Sequence, residues 1–206
     1  MQTLALLARS RWVNFSMNIL LASAWSVFVW NHLRSFNITG DYALIAFALS
    51  ETLQVLFFLI RRSPLSVSLD PFDWLVAGGG TLAPLFLIPG GPVLWQSGEI
   101  LVIIAVVFQI FALLSLNRSF AIVAAKRVVK TSGLYRIVRH PMYASYLLLY
   151  SGYLLFNGSL MNIGLVVLAF VFLFLRIIEE EKHLIVDQEY EQYATRTPWR
   201  LIPFVY

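Results

Sequence analysis

Apolar residues fall along the chain in six long runs separated by short polar or proline-containing segments. The runs are Trp12–Leu33, Tyr42–Ile60, Phe72–Ile88, Ile100–Leu116, Met142–Phe156 and Leu160–Ile178. A helix needs about 20 mainly apolar residues to cross a bilayer. The pattern therefore predicts an all-α, polytopic membrane protein of about six transmembrane helices, or five if the short fifth run does not cross. The fifth and sixth runs are set to form a helical hairpin through Asn157-Gly158-Ser159. Pro64, Pro71, Pro89 and Pro92 lie between runs, where a helix break costs little. Pro84 and Gly78-Gly79-Gly80 lie inside the third run and predict a kinked or closely packed helix there. The first run is too long, and has too many successors, for a cleaved signal peptide. With no internal repeat and no low-complexity segment, residues 1–206 read as one integral membrane domain. Its residues 1–116 are scaffold spans and 117–206 carry the polar groups.

Basic residues test this layout independently of hydropathy. With six crossings, one side receives Arg9, Arg11, Arg61 and Arg62, then Arg118, Lys126, Arg127, Lys130, Arg136 and Arg139, and finally Arg176, Lys182, Arg196 and Arg200. Of the 15 lysines and arginines this leaves only Arg34 opposite. The positive-inside rule then places both termini in the cytoplasm. Trp12, Trp30, Trp74 and Trp95 fall near run ends, as interfacial aromatics do. The membrane is the plasma membrane in a prokaryote or the endoplasmic reticulum in a eukaryote.

Composition agrees: 59% of residues are hydrophobic and 13% charged, with a mean hydropathy of +0.76. That excludes disorder and argues against a water-soluble globule. The absence of cysteine excludes a disulfide framework, a thiolate zinc site and a cysteine nucleophile. The net charge of +4 is explained by the cytoplasmic loops and calls for no nucleic acid. His32, His140 and His183 are scattered, without metal-ligand spacing, so no metal site is expected. No phosphate loop or dinucleotide fingerprint occurs.

Ionisable groups concentrate between Arg118 and Pro141 and after Arg176. Lys130-Thr131-Ser132-Gly133-Leu134-Tyr135 is followed by Arg139-His140-Pro141-Met142-Tyr143. Gly133 permits a turn and Pro141 suits the first turn of a helix, which puts His140 at a positive helix end. A plain basic juxtamembrane loop fits those residues too. In Arg176-Ile177-Ile178-Glu179-Glu180-Glu181-Lys182, three adjacent carboxylates call for a cation, and Arg176 shares a helix face with Glu180. A snorkelling arginine beside a solvated acidic cluster is the alternative. His183, Val186, Tyr190 and Tyr193 share one face of a cytoplasmic C-terminal helix, which packing accounts for. The tail Pro198–Tyr206 is apolar, too short to span, and reads as a docking segment. Glu51, one turn before Gln54, lies in mid-span, where ionisable groups are costly and often functional; an interhelical hydrogen bond is the simplest reading. Asn37-Ile38-Thr39 and Asn157-Gly158-Ser159 match the glycosylation pattern.

Taken in order, Gly133-Leu134-Tyr135-Arg136, Arg139-His140-Pro141-Met142-Tyr143, the hairpin, Arg176 with Glu180-Glu181 and Leu184, then Tyr190, Tyr193 and Ile202-Pro203-Phe204 resemble the isoprenylcysteine carboxyl methyltransferases. The wider group includes the phospholipid N-methyltransferases and prokaryotic relatives. The resemblance covers Asn117 to Tyr206. It implies methyl transfer from S-adenosylmethionine to a lipophilic or prenylated acceptor drawn from the membrane, with S-adenosylhomocysteine as product. Carried over position by position, the cofactor contacts fall on Arg127, Val128, Val129 and Lys130, on Tyr135, on His140, Pro141, Met142 and Tyr143, and on Glu180. Arg127 stands where relatives often have histidine. The arginine that holds the substrate carboxylate falls on Arg176. Arg139 belongs to the same catalytic set, and Glu181 or Glu179 could assist an amine acceptor in losing its proton.

Carboxyl methylation of an isoprenylcysteine-type substrate is the first expectation, and N-methylation of a phospholipid amine the second. Membrane sterol reductases, which use NADPH, share an Arg-His-Pro-x-Tyr stretch, but the Glu179–Glu181 run favours methyl transfer. Glu51 is the one feature that suggests a transporter or scaffold instead.

Overall fold

The computed structural model describes residues 11–60, 66–67, 70–116, 125–126 and 129–206. The described helices are α1 (Arg11–Thr39), α2 (Tyr42–Ile60), α3 (Pro71–Leu82), α4 (Gly98–Leu116), α5 (Pro141–Phe156), α6 (Leu160–Leu184) and α7 (Gln188–Arg196). Two-residue strands β1 (Ser66–Val67) and β2 (Ala125–Lys126) pair antiparallel. Every apolar run is helical over most of its length. Four helices, α1, α2, α4 and α6, are long and apolar enough to cross a membrane. The other two runs give shorter helices. α3 starts well, with Pro71 in its first turn and Asp70 Oδ1 accepting from Phe72 N at 2.8 Å. It ends after 12 residues, because Pro84 offers no N–H to the ladder and the chain tightens into a 3-10 turn over Ala83–Phe86. In place of the kink there is a helix end, while the close packing expected at the glycines is present: a Cβ at Gly79 or Gly80 would lie 2.5 or 3.3 Å from the Phe172 side chain of α6. α5 has 16 residues.

Side-chain contacts fix the levels of the helix ends. Tyr143, at the start of α5, hydrogen-bonds Glu180 near the end of α6, while at the other end Asn162 Nδ2 donates to the Asn157 carbonyl at 2.7 Å. So α5 and α6 run antiparallel over the same depth, as the hairpin expectation required. Residues 80–88 descend along α6 from Phe172 and Arg176 to Asn162, whose Oδ1 accepts from Ile88 N at 3.0 Å. Asn157 is buried and its Oδ1 accepts from Gly90 N and Gly91 N, so this side chain is a structural lock rather than a modification site. α1 reaches that same end. His32 lies at 3.1 Å from the Phe28 carbonyl and receives the Tyr153 hydroxyl at 3.4 Å.

The core is aromatic and small-residue packing rather than an amphipathic seam. Phe47 and Tyr153 are fully buried with their rings 4.7 Å apart. Gly98 and Gly152 let α4 and α5 touch backbone to backbone: a Cβ at Gly152 would lie 2.8 Å from Val102 N and 3.0 Å from Gly98 O. Small residues at such crossings drive association where lipid competes equally for apolar surface.

Candidate functional site

Two sharp local features aim side chains at one space. Before α5, Gly133 takes a positive φ of 61°, which glycine adopts without strain, and a Cβ there would collide with Ser115. The turn this permits, Gly133–Arg136, delivers Tyr135, whose carbonyl accepts from the Tyr193 hydroxyl at 2.7 Å. On α6, consecutive residues point about 100° apart, and the three glutamates go separate ways. Glu179 takes the surface Lys182 at 2.7 Å. Glu180 turns inward and accepts from the Tyr143 hydroxyl at 2.5 Å. Glu181 accepts from Arg139 Nε at 2.7 Å and Nη2 at 3.2 Å, from Arg200 Nε at 2.7 Å, and lies 3.0 Å from His140 Nε2. The Glu181 hydrogen bond raises the pKa of Arg200.

The space is a cavity of about 1160 Å³, counting its mouth. Of the residues read from the sequence, Val129, Lys130, Tyr135, Arg139 and His140 line it, as do Met142, Tyr143, Arg176 and Glu180. Pro141 starts α5 but does not line the cavity, nor does Glu181. Arg127 and Val128 lie outside the described residues. Arg176 is buried, with Nη1 donating to Thr81 Oγ1 at 3.2 Å and its guanidinium 5.2 Å from the Tyr143 ring centre. It is therefore held inside the protein, not snorkelling. Glu181 differs from its expected part in proton transfer: with both oxygens engaged by two guanidiniums and an imidazole, it is a clamp. Arg139 completes the clamp, since its Nη1 also donates to the Thr197 and Pro198 carbonyls at 3.0 Å each. Backbone bonds Arg139 N to Trp199 O and His140 N to Arg200 O continue it. The tail docks, as expected, and closes over α5 and α7.

Several wall residues come from parts assigned no chemistry. Trp25, Glu51, Gln54 and Thr81 belong to α1, α2 and α3, so the first half is more than scaffold. Tyr190 and Tyr193 of α7 also face the cavity, not merely a packing surface. Burial raises the pKa of Tyr135, Tyr190 and Tyr193, so these phenols stay neutral. Among the described residues the buried Tyr190 hydroxyl has no hydrogen-bond partner. Tyr146 and Tyr150 line the inner part. With Tyr143 they form a stripe at helical spacing, a signal legible in the sequence but outside the motifs.

Apolar helices of membrane-spanning length around a cavity, with Glu180 and Arg176 one turn apart inside it, define an integral membrane protein with a buried polar site. Residues 92–192 match the family model of the phospholipid methyltransferases. The matched region runs from the loop before α4 into α7 and holds the Tyr135, His140–Tyr143 and Arg176–Glu180 elements together. No curated protein matches the chain.

Proposed function

We propose that the protein transfers a methyl group from S-adenosylmethionine to a lipophilic acceptor at the membrane. One observation carries the reading: Glu180 and Arg176 present opposite charges to one buried cavity, while the neighbouring carboxylates are neutralised elsewhere. The cavity fits the cofactor on its own terms. Among the described residues no Lys, Arg or His forms an ion pair with Glu180, and the Tyr190 hydroxyl is an orphan donor in the wall. Glu180 would hold the amino group and Lys130 the carboxylate. Tyr135, Tyr190 and the His140–Tyr143 stack would frame the adenosine. Bound there, S-adenosylmethionine supplies a methyl group already activated on a sulfonium.

The remaining work is alignment. Arg176, fixed by Thr81 and Tyr143, offers a planar fork for an anion of the acceptor. An isoprenylcysteine-type carboxylate fits it, and so does the phosphodiester of a phospholipid whose amine takes the methyl. Arg139 and Glu181 act as positioning residues that hold the tail over the site.

We further read the chain as one six-crossing domain with both termini cytoplasmic. In support, residues 71–88 and α5 cover the same depth as α6, and the clamp sets the C-terminal segment at the end of the bundle where α1 begins. Calorimetric titration of the detergent-solubilised protein tests the cofactor assignment. Saturable binding of S-adenosylhomocysteine with none of NADPH is expected; the opposite preference, or no binding of either, overturns it.

A further inference from the structure

Residues 201–206 form a closed turn that the cavity does not use. Leu201 N and Ile202 N donate to the Tyr206 carbonyl at 2.7 and 2.9 Å, and Val205 N and Tyr206 N donate to the Ile202 carbonyl at 3.1 Å each. The bond from Val205 to Ile202 makes Pro203 the second and Phe204 the third residue of a turn. Phe204 takes a φ of 65°. A positive φ at the third place of a turn is normally given to glycine or asparagine, and a phenylalanine there strains the backbone. Its side chain is not repaid by burial: Phe204 is 85% exposed, Val205 73% and Ile202 54%. A strained residue that holds an apolar ring out into its surroundings points to a function for the ring.

The position of this tip says what covers it. Tyr206 meets the Phe174 ring of α6 edge to face, with centres 6.2 Å apart. Phe174 is itself 40% exposed and belongs to a helix long and apolar enough to cross a membrane. It stands about 6 Å, at the rise of a helix, before the apolar run ends at Ile178. The turn therefore lies beside a surface that lipid covers, at a depth within the roughly 5–10 Å that interfacial elements bury. Around it are the residue types of a membrane interface. The Trp199 ring is 5.5 Å from that of Phe204, and the Arg200 guanidinium lies 5.1 Å from the Tyr206 ring centre and donates to its hydroxyl at 3.2 Å. We propose that residues 202–205 form a membrane wedge: Phe204 and Val205 enter the boundary between headgroups and acyl chains in the leaflet where α6 ends, with Arg200 at headgroup level. The partner is the lipid surface itself. Arg200 also holds Glu181, which holds Arg139, so the wedge fixes to the bilayer the clamp that closes the tail over α5 and α7. This inference is independent of the cofactor assignment.

The test is spin labelling of the full chain in phosphatidylcholine nanodiscs. Because the chain has no cysteine, Val205→Cys, Val167→Cys on the exposed face of α6 and Glu191→Cys on the exposed face of α7 each carry a single nitroxide. Collisions with oxygen report hydrocarbon, and collisions with a nickel chelate report water. The oxygen-to-nickel ratio at Val205→Cys should exceed that at Glu191→Cys roughly three-fold or more and approach that at Val167→Cys. A ratio equal to that of Glu191→Cys overturns the proposal. So does exclusion of both reagents, which would mean that protein covers the turn. Phe204→Gly gives a second reading, since glycine accepts the positive φ and the wedge is removed. In that background the Val205 label should lose its excess of oxygen contact, with no fall in melting temperature in detergent. An unchanged ratio, or a lower melting temperature, assigns Phe204 to packing and overturns the wedge.

Discussion

Replacing Glu181 by Gln removes one charge and one acceptor oxygen from a carboxylate that serves three partners. Gln can keep one acceptor role, but its NH2 then confronts donors. Arg139 dominates the loss, because its side chain is 10% exposed and that of Glu181 12%. Arg200 counts for less, since at 36% exposure water screens its pair. Charged hydrogen bonds contribute about 1.5–3 kcal/mol each. Removing one buried hydrogen bond from Arg139, with the outer pair to Arg200 discounted, should destabilise the protein by about 2–4 kcal/mol. At roughly 2–4 °C per kcal/mol for a chain of this size, melting followed by circular dichroism in detergent should fall by roughly 5–15 °C. The tail should loosen first, because Arg139 also ties down Thr197 and Pro198, so trypsin should cut faster at Arg196 and Arg200. Glu180→Gln is the paired control. It keeps an acceptor for Tyr143 and should melt within about 1 kcal/mol of wild type. Its affinity for S-adenosylhomocysteine should drop by about 1.5–3 kcal/mol, or about 10- to 150-fold. If Glu181→Gln melts and resists trypsin like wild type, the clamp is not a clamp. If the two variants exchange phenotypes, the division of roles between these neighbours is wrong.

Arg176→Ala should lower kcat/KM for labelled methyl transfer into a lipid extract by about 1.5–3 kcal/mol, or about 10- to 150-fold, with affinity for S-adenosylhomocysteine little changed; normal turnover would return Arg176 to a structural role. Gly152→Ala should destabilise by about 1–3 kcal/mol, because the new methyl meets backbone atoms of α4 and neither helix can yield locally; an unchanged melting temperature would contradict the close approach. For topology, cysteines introduced singly at the exposed Gln96 and Thr131 are free of background, since the chain has none. An impermeant thiol reagent outside intact cells should label the first and not the second, and the reverse pattern refutes the orientation.

The helices were legible because apolar length is a property of a stretch and needs no partner. Their ends were less so. α1 and α6 each run six residues past the apolar run, to Thr39 and Leu184, since backbone hydrogen bonding continues in water after hydropathy has ended. Pro84 was visible as a disturbance, but whether the helix bends or stops there depends on whether neighbours recapture the freed carbonyl, which is tertiary information. At the site, motif order located Tyr135, His140, Arg176 and Glu180. It could not give direction. Arg139, His140 and Glu181 are as motif-rich as Glu180, yet the rotation of one residue along α6 sends Glu181 to the tail and away from the cavity.

The wall from the first half was illegible for a different reason. Which face of α2 turns toward α4, and which face of α4 toward α5, is set by matches such as Ser50 Oγ with Gln109 Oε1 at 2.5 Å and Gly98 with Gly152, and no single span carries that information. A hydropathy reading therefore sees Glu51 as an oddity inside a scaffold. The structure gives it context: Gln54 meets Tyr146, Thr81 meets Arg176, and both partners belong to the region that matches the family. That region supplies the charged pair that defines the site, but Arg176 owes its position partly to α3, and the inner floor is shared with α2. On the methyl-transfer reading proposed above, acceptor choice should be sought also in the cavity-lining residues outside 92–192, such as Trp25, Gln54 and Thr81.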